Sequence, residues 1–167
     1  MKRNSQRRVI VNMAIDLLLL PLVWCVTLWG RSREKNILRD GNPLTADQIV
    51  LACAVGVAVP QRLCVMAVNA VPMPFPQWLR GVVERLGWLS PHIAGMTLGY
   101  GIVLRVDMCS DRRLLAHELA HVVQYERFGT AGFMRGYVRE CVWPGYPHGP
   151  LEIEAKQAER VAYPSAT

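Results

Sequence analysis

Two of the chain's four histidines stand four residues apart, in His117-Glu118-Leu119-Ala120-His121, and a glutamate directly follows the first. On a helix, positions i and i+4 share a face, so both imidazoles can reach one metal ion. Glu118 is offset by one residue and leans over the same place. There it can take a proton from a water that the metal activates and deliver it to a leaving amine. Zinc used in this way needs a third protein ligand and an open position for the water. The bland rival is a half-buried helix that carries two satisfied histidines.

The surrounding elements must position these groups. A helix begins near Ser110 or Asp111 and runs to Gly129, a suitable C′ residue. Before it, residues 94–107 read as one strand. Met96, Leu98, Tyr100, Ile102, Leu104 and Val106 alternate there with Thr97, Gly99, Gly101, Val103, Arg105 and Asp107. Gly99 and Gly101 leave part of one face bare, which marks either a bend or a close backbone approach. If this is an edge strand, an extended peptide substrate can add to it through backbone hydrogen bonds.

Earlier in the chain, Thr45 caps a helix that ends before Pro60, and residues 62–71 read as a buried strand. Residues 77–89 form a short amphipathic helix with Trp78, Leu79, Val82, Val83 and Leu86 on its apolar side. His92 follows Pro91 in a turn and reads as structural. Beyond the motif, residues 131–143 are helical, a Pro/Gly loop follows, and a last helix opens just after Pro150. The pattern is α+β.

That last helix offers two carboxylates as the third ligand. Helical phase favours Glu154, which lies among Leu151, Ala155, Ala158, Val161 and Ala162 on the apolar stripe. A carboxylate facing the interior needs a partner, and a metal is one. Glu152 lies at the stripe's edge, in a first turn where the helix dipole alone favours an acid. Tyr146 and His148, in the loop before this helix, are candidate donors to a tetrahedral oxyanion. Tyr137 ranks below them.

Charge placement excludes a nucleic-acid-binding body. Residues 1–39 hold eight basic residues against Asp16 and Glu34, whereas residues 40–167 hold equal numbers of each sign. The five cysteines are odd in number and form no CxxC pair, so they read as free thiols of a reducing, cytoplasmic compartment. Residues 1–39 form a basic arm with an apolar stretch at 9–29, and the catalytic body spans 40–167. A spanning helix would place Asp16 near mid-bilayer, at a cost of about 2.5–3.5 kcal/mol. The basic flanks are balanced and specify no orientation. The preferred reading is an apolar helix, kinked near Pro21, that docks on the body or lies at a membrane surface. An integral anchor stays open.

The two stretches HELAHVVQYERFG and GPLEIEAKQAERVA, within residues 94–162, resemble the zincin metallopeptidases of the glutamate-ligand (gluzincin) branch. They are similar to small, largely uncharacterised bacterial zinc peptidases with HExxH and a later E-x-E-A helix. The resemblance implies a minimal zincin fold, with an edge strand over the cleft, an active-site helix below it and a C-terminal ligand helix. It implies one zinc ion, His117 and His121 as ligands, Glu118 as general base, and a peptide or protein substrate. It favours Glu152 over Glu154, through the Glu–Ala spacing of Glu152 to Ala155. Many such enzymes carry an Asp four residues after the ligand Glu to brace a zinc histidine. Here that position is Lys156 counted from Glu152, or Ala158 counted from Glu154. Support for the histidines must then come from elsewhere. A zinc-binding but catalytically silent interaction module is the rival function.

Overall fold

The computed structural model describes residues 2–85, 93–145 and 147–162, with the backbone alone for 2–16, 77, 80, 84, 143 and 144. Helix α1 spans Lys2–Asp40 with Pro21 inside it. Its second half turns Val23, Thr27, Gly30 and Ile37 inward against the body. Among the described residues no helix is long and apolar enough to cross a membrane. A two-residue strand β1 (Asn42–Pro43) leads to α2 (Ala46–Val55). Thr45 opens α2 with a reciprocal capping box to Gln48, and Gly56 closes it in the left-handed region at φ 103°.

Strand β2 (Cys64–Val68) is half-buried rather than buried, as its position near one edge of the sheet requires. Helix α3 (Gln77–Arg85) also departs from expectation. Trp78 and Val82, assigned from the sequence to its apolar core face, are exposed, because α3 does not pack that face on the sheet. Leu86 and His92 lie outside the described residues.

The stretch expected to be one strand is a hairpin. Gly99 takes φ 63°, and β3 (Gly95–Leu98) folds back antiparallel on β4 (Gly101–Arg105). An L side chain rarely adopts that φ, so the glycine allows the turn. The sheet order is β1-β2-β4-β3, with β2 and β4 parallel. The edge strand β3 thus precedes the motif helix with β4 between them. Gly101 sits in the interior strand and Gly99 in the turn, so neither lines the free edge as a substrate strand would require. What approaches them is α1. A Cβ at Gly101 would meet Ile37 at 2.9 Å, and one at Gly99 would overlap Glu34, which accepts a hydrogen bond from the Tyr100 backbone N–H.

Helix α4 (Arg112–Glu140) is two helices joined at Gly129, whose φ 68° and ψ 165° break the ladder where the sequence places a helix end. Helix α5 (Pro150–Ala158) follows and packs along α4. Leu115, Ala116, Leu119 and Val122 of α4 enter a core shared with Leu51, Leu63, Ile102 and Leu104. At helical spacing this fixes the rotation of α4 and leaves its adjoining polar flank toward β3 and α5.

Candidate metal centre

Asp111 caps α4, its Oδ1 accepting from the N–H groups of Arg113 and Leu114 at 2.8 and 3.1 Å. One and a half turns later His117 and His121 project side by side, with Nε2 atoms 3.2 Å apart. The third group comes from α5. Pro150 and the Glu140 carboxylate, which accepts from the Leu151 N–H at 2.9 Å, fix the start of that helix. This places Glu152 one turn in, buried, with Oε2 at 3.4 Å from His117 Nε2 and Oε1 at 3.5 Å from His121 Nε2.

These three separations have a physical meaning. A tetrahedral zinc with bonds of about 2.0–2.2 Å to nitrogen and oxygen holds neighbouring donor atoms about 3.3–3.6 Å apart. The other ring nitrogens fix the tautomers. His121 Nδ1 faces Gln124 Oε1 at 2.8 Å, and His117 Nδ1 faces Glu159 Oε1 at 3.1 Å. Both partners accept, so each Nδ1 carries a hydrogen and Nε2 is the nitrogen left to offer a lone pair to a metal once it is free of a proton. Two Nε2 atoms and a carboxylate thus converge on one point. Glu152 Oε2 is buried without a hydrogen-bond partner, an orphan acceptor that costs free energy unless a cation meets it. Among the described residues, His117, His121 and Glu152 form a group that could hold a metal ion.

Electrostatics carry the same demand. Burial works to lower the His117 pKa, but Glu152, Glu118 and Glu159 outweigh it and raise the imidazole to about 9. Burial works to raise Glu152, but His117, His121 and Tyr137 hold it well below the ordinary carboxylate value. Glu118 is buried, which raises its pKa against the two histidines and the Thr97 hydroxyl. Thr97 Oγ1 donates to Glu118 Oε2 at 2.7 Å. Gly95 leaves room for that carboxylate, since a Cβ there would lie 2.5 Å from Oε1. A glutamate with a raised pKa, held beside the two histidines, suits a general base.

Each donor is braced. Tyr137 Oη donates to Glu152 Oε1 at 2.8 Å. Gln124 is fully buried, and its amide nitrogen donates to Leu151 O and to Glu154 Oε2 at 2.9 and 3.1 Å. Glu154 therefore belongs to the support. It pairs with Gln124 and with Arg127, at 2.7 Å, rather than joining the histidines. Glu159 occupies the role of the brace that Lys156 and Ala158 cannot fill. Of the loop candidates, Tyr146 lies outside the described residues, and His148 is exposed, its backbone N–H bonded to Gly145 O. Sequence reading missed Gln124, Glu159 and Thr97 and ranked Tyr137 low. Gln124 stands one turn after His121, and Glu159 two turns after Glu152, so helical spacing held the signal for those two.

Comparison with family models finds the eCIS core domain over residues 90–129, a family related to the zincin-like metallopeptidases. The match includes β3, β4 and the HExxH half of α4, stops before Glu152, and covers well under half of the chain. No curated protein and no solved structure matches the chain.

Proposed function

We propose that this chain is a zinc-dependent peptidase, with His117, His121 and Glu152 as ligands and Glu118 as general base. The observation that carries the reading is the convergence of two Nε2 atoms and the Glu152 carboxylate, whose Oε2 has no hydrogen-bond partner, at tetrahedral spacing. The eCIS core match over the same helix supports it. Bound there, zinc supplies Lewis-acid activation of a water and of a peptide carbonyl. The chain does the rest. Thr97 and the space at Gly95 hold the Glu118 carboxylate beside the ligands. Glu118 accepts the water's proton and passes it to the leaving nitrogen. Strand β3 pairs with β4 on one side only among the described strands, and its other edge can take an extended peptide.

A silent zinc-binding module is the second reading. Its motive is that Tyr137 is already engaged with Glu152 and His148 is exposed, so neither of these two candidates stands ready as an oxyanion donor. Metal analysis and cleavage of an unstructured protein separate the readings. Wild type should carry one zinc and cleave; His117→Ala should lose the metal; Glu118→Gln should keep it and cleave about 10²–10⁴-fold more slowly. Full zinc content in His117→Ala would remove the metal assignment. Zinc binding without cleavage by wild type would favour the module.

A further inference from the structure

Helix α1 presents one stripe that changes character along its length. Leu17, Pro21, Trp24 and Leu28 follow one another at helical spacing, and the same line continues through Arg31 and Lys35 to Arg39. All seven are exposed, on the side opposite Val23, Thr27, Gly30 and Ile37, which face the body. Leu18 and Leu22 widen the apolar part; Leu18 is 80% and Trp24 66% exposed. The body requires none of these side chains, and so large an apolar patch marks an interaction site. Arg39 is held by Asp40, but Arg31, Arg33 and Lys35 face solvent. At the helix's other end the first turns carry Lys2, Arg3, Arg7 and Arg8.

The geometry points to the surface of an anionic lipid bilayer as the partner of this face. An apolar stripe with basic residues beyond both ends matches acyl chains bordered by phosphates. A second copy packed along the stripe would have to accommodate the like charges of Arg31 and Lys35. The residues after the arm have no net charge, so the net attraction to anionic lipid comes from the arm and favours an orientation with α1 toward the bilayer. Because the inward face of α1 packs on α4 and the sheet, the whole body is carried to the membrane with it.

The test is flotation of the full chain with phosphatidylcholine vesicles, with and without phosphatidylglycerol. Wild type should float with the anionic vesicles, and at least tenfold less with neutral ones or at about 0.5 M salt, where charges are screened. The double variant Leu18→Gln/Trp24→Gln should lose flotation at least tenfold while keeping the wild-type unfolding midpoint, since both side chains are exposed. The triple variant Arg31→Gln/Arg33→Gln/Lys35→Gln should lose the preference for anionic lipid. Flotation of the Leu18/Trp24 variant at the wild-type level would overturn the proposal. So would a wild type that ignores both vesicles and instead forms a concentration-dependent dimer that the variant lacks.

Discussion

Gln124 joins the fold to the metal centre, and replacing it with Leu tests both. The side chain is fully buried and makes three hydrogen bonds: from His121 Nδ1 at 2.8 Å, to Leu151 O at 2.9 Å and to Glu154 Oε2 at 3.1 Å. Leu has a similar volume and opens little cavity. It strands two buried groups, the His121 Nδ1–H and the Leu151 carbonyl, whereas Glu154 keeps Arg127. Each orphaned group costs about 1–3 kcal/mol, so the zinc-free protein should lose about 2–6 kcal/mol on urea unfolding. His121 also loses the partner that holds its Nε2 toward the site. Zinc affinity should fall about 10–100-fold, read by competition with a chromogenic chelator. Wild-type stability together with wild-type zinc affinity would show that Gln124 braces nothing. A stability loss with unchanged affinity would confine its role to the α4–α5 junction.

The two acidic candidates of α5 should separate in paired titrations. Glu152→Gln should weaken zinc binding at least tenfold, whereas Glu154→Gln removes a half-exposed ion pair worth about 0–1 kcal/mol and leaves affinity nearly intact. The reverse ranking would move the ligand to Glu154. Gly95→Ala should push a methyl group into Glu118 and lower kcat while zinc content stays at one per chain; unchanged kcat would mean the carboxylate moves freely. Proton linkage supplies a pH test. The raised His117 pKa means that the zinc-free fold gains stability fully present below about 6.5, the unfolded value, and lost as pH rises through about 9. Zinc must displace that proton, so its apparent affinity should climb with pH and level off near 9. Calorimetry in buffers of different ionisation enthalpy should find proton release at pH 7; none would contradict the His117 environment.

Much of the site was legible because its information is local. The i, i+4 spacing puts His117 and His121 on one face of any α-helix, and Glu118 follows with them. Thr45 and Asp111 mark helix starts through side-chain preferences that act over a few residues. Alternation in residues 94–107 identified strand, but it is blind to a turn that keeps the period; Gly99 reversed the chain and put β3, not Gly101, at the edge. Trp78 and Val82 show the same limit, since an amphipathic pattern marks a face without providing something to cover it.

The choice between Glu152 and Glu154 was never local. Their phases on α5 differ, but which phase meets the histidines depends on how α5 lies along α4, and that is set by Glu140, Pro150 and the kink at Gly129. The kink also turns the second half of α4 back, stacking Phe133 on Tyr125 and bringing the Tyr137 hydroxyl to Glu152. The sequence by itself determined the pair of histidines, the glutamate between them and the helix that carries them. Only tertiary packing decided the third donor and its braces, because their partners lie on a different element and a hydrogen bond is felt only over a few ångströms.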